Sequence, residues 1–167
     1  PQQALATLRE VNALLRDEPC RPKNRADNPG GLVEIPANVT PVIIGDLHAQ
    51  VNNLLKILSE NCLLECLRLK NAAIIVLGDA VHSEMMGEMA RFETSMLIMD
   101  LIFRLKLIFP GHFFYVRGNH DSFDPEMDKG GILQGVLWRE ALARHRGDAY
   151  VEEMQKFYDL LPYVVSS

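Results

Sequence analysis

Asp46 and His48 stand two apart in PVIIGDLHAQ, residues 41–50, directly after an apolar run and a glycine. A carboxylate and an imidazole at that spacing could ligate a divalent cation, yet Asp and Gly are also ordinary turn residues. Alone, the stretch reads equally as turn chemistry or as a site. Two later stretches repeat the arrangement. IIVLGDAVHS, residues 74–83, ends an apolar run in Gly78 and Asp79, with His82 three positions on. FFYVRGNHDS, residues 113–122, ends its run in Gly118, Asn119, His120 and Asp121. Three coincident turns would not explain why a histidine follows each time, so agreement across the three points to a site.

The residue types indicate what such a site could do. Carboxylates, imidazoles and one amide oxygen, without a thiolate, suit Mn, Fe or Zn. A carboxylate can bridge two cations, and a metal pair can clamp a phosphoryl group and activate water. On that reading Asp46 and His48 hold a first metal. His120, beside the candidate ligand Asn119, could protonate a leaving oxygen, help worth roughly 10² to 10⁴ in rate.

The elements that must carry these residues follow from pattern. Leu5, Leu8, Val11, Leu14 and Leu15 recur at helical spacing in QQALATLREVNALLRDE, and PCRPKNRADNPGG reads as a surface loop. LVEI and VIIG are strand candidates, and VNNLLKILSENCLLECLRLK reads as a helix broken near Asn61. AAIIVLGD, apolar throughout, reads as a buried strand. A long helix is expected from about Glu84 to Phe109, with Met85, Met89, Met96 and Met99 as core filler, closed by Pro110-Gly111. HFFYVRGN is a further strand, and GILQGVLWREALARH and YVEEMQKFYDLL are further helices. Alternating strands and helices predict an α/β fold with largely parallel pairing, in which ligands gather beyond the carboxyl ends of the strands. The three motifs all fall there.

Composition sets bounds. A chain of 167 residues, 48% hydrophobic and 23% charged, is most simply one domain with a real core. Residues 1–40 form a helix and loop leading into the first motif strand. The net charge of −5 gives no broad pull toward nucleic acid or anionic membrane. The most apolar stretch, SMLIMDLIFRLKLIF, is interrupted by Asp100, Arg104 and Lys106, short of the roughly 20 residues of a membrane span. PQQALATLRE does not read as a signal peptide. Three cysteines without framework spacing indicate reduced thiols and a cytoplasmic protein; Cys62 and Cys66, at i,i+4, read as packing on one helix face. The chain opens on proline, and Val164 and Val165 read as the start of another strand, so a longer protein is expected.

GDLHAQ, GDAVHS and RGNHD resemble, in order, the first three motifs of the calcineurin-like metallophosphoesterases. Within them the chain is most similar to the PPP serine/threonine phosphatases, whose pattern is GDxHGQ, GDxxDRG and RGNHE. FPGHFFYVRGNHD and EEMQKFYDLLPYVV extend the similarity, which covers nearly all the chain apart from residues 20–30 and 60–70. The resemblance implies a layered metallophosphoesterase-like sheet with flanking helices, stopping before the later strands. It implies that Asp46 and His48 bind the first metal, that Asp79 bridges both, that Asn119 binds the second, and that His120 is the acid. His82 and Ser83 stand where PPP enzymes have Asp and Arg, groups that orient the catalytic histidine and grip phosphate. Two histidines from later strands would complete the second metal site. His112 and His145 do not replace them and are expected at the surface, so this segment is expected to bind at most one of the two cations well.

The leading expectation is hydrolysis of phosphomonoesters, phosphoserine or phosphothreonine in proteins, with a phosphorylated protein or small phosphoester as partner and without membrane or nucleic acid. Alternatives are a diadenosine tetraphosphatase-like enzyme, whose third motif also ends in GNHD, and a repair-exonuclease-like nuclease, whose second motif carries His three after Asp. An inactive phosphatase-like scaffold or fragment is the non-enzymatic alternative.

Overall fold

In the computed structural model, residues 2–83, 91–129 and 131–166 are described. Helix α1 (Gln2–Arg16) buries Leu8, Val11 and Leu15, the stripe its spacing predicts. Strand β1 (Leu32–Glu34) precedes β2 (Thr40–Ile44), followed by α2 (Val51–Ser59) and α3 (Leu63–Arg68). The break between these helices falls at Asn61 and Cys62, both left-handed. Cys62 is exposed at the N-terminus of α3 while Cys66 is half-buried, so the two do not share a packed face as their spacing suggested. All three cysteines are free.

Strand β3 (Ala72–Val76) is buried along its whole length. Helix α4 (Glu93–Ile108) leads to β4 (Phe113–Tyr115). The earlier part of the expected long helix, with Met85 and Met89, lies outside the described residues; Met99 is buried and Met96 half-buried. Asp128–Lys129 (β5) and Ile132–Leu133 (β6) form an antiparallel hairpin, so α5 (Gln134–Arg146) begins two residues after Ile132, where a helix was expected throughout. Helix α6 (Asp148–Leu160) and β7 (Val164–Ser166) complete the order.

Strands β2, β3 and β4 form a parallel sheet with β3 central, and β1 pairs in parallel with β7. Pro41 lies within β2, tolerated because β2 is an edge strand. Side chains alternate across the sheet. Ile74, Val76, Phe113 and Tyr115 face the helical core, whereas Ala73, Ile75, Phe114 and Val116 pack with Val33, Ile35 and Val39. Burial on both faces explains why β3 is continuously apolar.

Polar anchors sit inside this frame. The Lys106 ammonium contacts the Glu18 carboxylate, donates to the carbonyls of Pro110 (2.9 Å) and Phe113 (2.8 Å), and lies 4.7 Å from the Phe114 ring centroid. Trp138 Nε1 donates to the Tyr158 hydroxyl at 2.9 Å.

Candidate metal centre

Parallel pairing puts the carboxyl ends of β2, β3 and β4 side by side, so their following loops form three adjacent tips. The tips are joined by backbone. Leu47 and His48 donate their N–H groups to the Asp79 carbonyl at 3.3 and 3.0 Å, and Ala49 donates to that of Ala80 at 2.7 Å. The Asp79 Oδ1 accepts the backbone N–H of His120 at 2.7 Å, tying second tip to third.

Two glycines permit this closeness. A Cβ on Gly118 would collide with the Asp79 carboxylate, and one on Gly78 would collide with the Gly118 backbone. Gly78 also has φ +96°, a left-handed value that penalises other residues. Gly45, whose turn reads the same in the sequence, has open space where its Cβ would be. Backbone strain gathers here too. Of eight non-glycine residues with positive φ among those described, His48, Ala49, Asp79 and His82 lie in the first two tips. Each costs on the order of 1–3 kcal/mol and persists only where surroundings enforce it, a pattern that clusters at functional sites.

His48 donates its Nδ1–H to the His82 carbonyl at 3.2 Å, which leaves Nε2 as the nitrogen that could ligate a cation. That Nε2 lies 3.8 Å from Asp46 Oδ2. A ring nitrogen fixed by donation from its partner to a carbonyl, with a carboxylate beside it, is an arrangement a ligating histidine adopts. The His120 ring lies 6.0 Å from that of His48 and 5.8 Å from that of His82, between centroids. His82 is fully buried, edge-on to Phe92 and Trp138. Its backbone N–H donates to Ser95 Oγ at 3.2 Å.

Asp79 is buried and Asn119 exposed on the neighbouring tips. Among the described residues no three His, Cys, Asp or Glu side chains close into a metal-holding group. The donor types suit a divalent cation, and Asp46 Oδ2 and His48 Nε2 lie 3.8 Å apart, but the donors stand as an open set. His145 is exposed, and His112 is half-buried at the opposite end of the sheet, where its Nδ1–H donates to the Ala72 carbonyl at 3.1 Å.

Asp121 and Tyr115 were not read as site residues. Asp121 is fully buried; its Oδ2 accepts the N–H groups of Gly118 (2.8 Å) and Asp79 (3.1 Å), and its Oδ1 accepts the Tyr115 hydroxyl (2.8 Å). Tyr115 in turn accepts the Ala80 N–H at 3.1 Å. Burial pushes the Asp121 carboxyl up to about 6 despite these donors.

The comparisons with known proteins agree with this fold. No curated protein sequence matches the chain. The fold matches a solved serine/threonine phosphatase from Saccharomyces cerevisiae described as similar to human phosphatase PP5, with a TM-score of 0.64 and 19% identity. The match covers 97% of this chain and 44% of that one, so the chain spans less than half the length of its structural relative. No helix among the described residues is long and apolar enough to cross a membrane. The family model for calcineurin-like phosphoesterases matches residues 40–165, a span holding all three tips. With most of its length inside that match and its donors on adjoining strand ends, the chain belongs to the calcineurin-like phosphoesterase family.

Proposed function

We propose that the protein takes part in metal-dependent hydrolysis of phosphomonoesters, with phosphoserine or phosphothreonine in proteins as the substrate class. The observation that carries this is the Asp46–His48 pair, its imidazole fixed by the His82 carbonyl, with His120 beside it.

Asp46 and His48 would hold a first divalent cation (Mn, Fe or Zn), Asp79 would bridge, and Asn119 would serve a second. A cation bound there supplies Lewis acidity toward a phosphoryl oxygen and lowers the pKa of a bound water. The chain's own groups do the rest. His120, whose backbone is pinned to Asp79, would donate a proton to the departing oxygen. His82, 5.8 Å away between ring centroids, would orient it. An imidazole in that role provides a hydrogen bond but no negative charge for an imidazolium, so it only partly does what a carboxylate would. Buried Asp79 gains most from a cation, because a desolvated carboxylate is costly without positive charge nearby. For the second cation these residues offer only Asp79 and the neutral amide of Asn119. The segment should therefore hold one cation better than two.

The open arrangement of the donors favours a second reading, an inactive phosphatase-like scaffold. Metal analysis after loading with Mn, with turnover of a phosphopeptide, diadenosine tetraphosphate and single-stranded DNA measured side by side, separates the readings. Phosphopeptide turnover lost in Asp46→Asn supports the proposal. Metal-free protein with no turnover supports the scaffold, and preferential turnover of either other substrate reassigns the class.

A further inference from the structure

At the end of the sheet away from the three tips, α2, α3 and the C-terminal half of α4 border a groove of about 790 Å³. From Ala72 at this end of β3 to Asp79 at the tip is seven residues, on the order of 20 Å along the strand. The groove therefore belongs to neither the candidate metal centre nor its loops. Its walls are apolar and open to water: Leu55 is 49% exposed and Ile108 65%, and half-buried Leu101 lines the same groove. Side chains of this size usually face inward, so their collection along one groove marks a contact surface rather than scattered exposure. The left-handed break at Asn61 and Cys62 ends α2 and redirects the chain into α3, which makes the second wall.

The charge at the rim says what fits. Arg68, Lys70 and His112 line the groove, and no acidic residue does among those described, although the chain carries 22 acidic against 17 basic residues. Arg68 is 3.6 Å from Glu65, but both are exposed, and pairs of that kind hold their partners weakly. The geometry points to a docking groove for an acidic amphipathic helix on a partner protein, its leucine-type side chains in the groove and its carboxylates against the Arg68–Lys70 rim. Helix-in-groove binding uses anchors at i, i+3, i+4 and i+7, and opposite charges at the rim set register and partner choice. A second copy seated through the same groove would set its own Arg68–Lys70 rim against this one, and like charges so placed disfavour it as the occupant.

The test uses the whole chain and a fluorescein-labelled helical peptide with leucines at i, i+3, i+4 and i+7 and glutamates elsewhere. Fluorescence anisotropy should show saturable binding, with Ile108→Glu and Lys70→Glu each weakening it by about tenfold or more. A peptide with lysines in place of the glutamates should bind at least about tenfold more weakly. Asp46→Asn should leave binding unchanged, so the groove and the metal centre fail or stand separately. Equal binding of the lysine peptide, no binding of the glutamate peptide, or loss of binding in Asp46→Asn would overturn the proposal. Self-association by sedimentation that Ile108→Glu abolishes, without peptide binding, would give the groove to a second copy instead.

Discussion

The Asp121 carboxylate accepts the backbone N–H of Asp79 at 3.1 Å, so a residue of the third strand tip holds the main chain of the second. The same carboxylate accepts Gly118 N–H and the Tyr115 hydroxyl, and Tyr115 reaches back to Ala80 N–H. Four hydrogen bonds thus hold two loops at a site whose backbone is strained. Tyr115→Phe removes one atom and leaves the Ala80 N–H and the Asp121 Oδ1 each without this partner. A buried group left unsatisfied costs about 1–3 kcal/mol. For a chain of this length that corresponds to a fall in Tm of roughly 2–4 °C per kcal/mol. Thermal unfolding of Tyr115→Phe, Asp121→Asn and the double variant checks this; strictly additive losses would show that the two side chains do not act as a unit.

The glycines give a sharper contrast. Gly118→Ala would drive a methyl into the Asp79 carboxylate, and Gly78→Ala adds a left-handed penalty to a backbone collision. Each should cost more than about 3 kcal/mol or prevent folding. Gly45→Ala should stay within about 0.5 kcal/mol, because nothing stands near its Cβ. Urea unfolding of the three single variants orders them, and a Gly45→Ala loss as large as the others would contradict the geometry.

The three adjoining strand tips were legible because their signals are local. A glycine, a ligand-type residue and a following histidine lie within a few positions of each strand end, and apolar periodicity named the strands. Gly45 shows the limit of that reading, since the same dipeptide carries no steric demand there. Tyr115 and Asp121 escaped notice for a different reason. Tyr115 reads as one more apolar strand residue, and its partners Ala80 and Asp121 become visible only once β3 and β4 are side by side. The β5–β6 hairpin was missed because strands of two residues carry no period, so Ile132 was absorbed into the helix that follows. Glu18 and Lys106 lie 88 positions apart, beyond any sequence window.

That buried pair leads to a third prediction. The side chains of Lys106 and Glu18 are 5% and 1% exposed, so each charge depends on the other. Glu18→Ala would leave the ammonium with two carbonyls and the Phe114 face but no anion. Breaking one side of a buried pair costs roughly 3–5 kcal/mol. Glu18→Leu with Lys106→Met should recover only part of this, because the carbonyls of Pro110 and Phe113 lose their donor. Chemical denaturation of the single and double variants measures it; full recovery would mean those carbonyls find other donors.

Alkaline stability follows from the tyrosines. Burial raises the pKa of Tyr115, Tyr150 and Tyr158 above the usual tyrosine value, keeping the phenols neutral in the folded chain. The unfolded chain ionises them near pH 10, so their stabilisation is fully present below that and is lost as pH rises beyond it. Three such groups give a limiting slope of about 4 kcal/mol per pH unit. Lys106, its pKa lowered by burial, works the other way, since the folded chain releases that proton sooner. One lysine offsets at most one tyrosine. Urea midpoints should be flat between about pH 7 and 9 and fall steeply above 10, with Tyr150→Phe removing about a third of the tyrosine slope. A flat profile through pH 11 would show that these phenols reach solvent.

The candidate metal centre can be tested without turnover, because the chain has one tryptophan. Trp138 is fully buried, 6.3 Å between centroids from the His82 ring, and the His82 carbonyl fixes His48. Paramagnetic Mn²⁺ held by Asp46 and His48 should therefore quench Trp138 fluorescence in a saturable titration that a chelator reverses. Asp46→Asn removes a charged donor and His48→Ala an imidazole, so each should weaken the apparent affinity by about tenfold or more, since even the loss of a group that only supports a ligand weakens metal binding by about that much. Asn119→Ala should change it less, because a neutral amide is the weakest donor of the set. His145→Ala, on the exposed end of α5, should not change it at all. Diamagnetic Mg²⁺ should compete without quenching to the same depth, which separates occupancy from general unfolding. If His48→Ala titrates like the unaltered chain, the cation lies elsewhere and the arrangement at the first tip is turn chemistry.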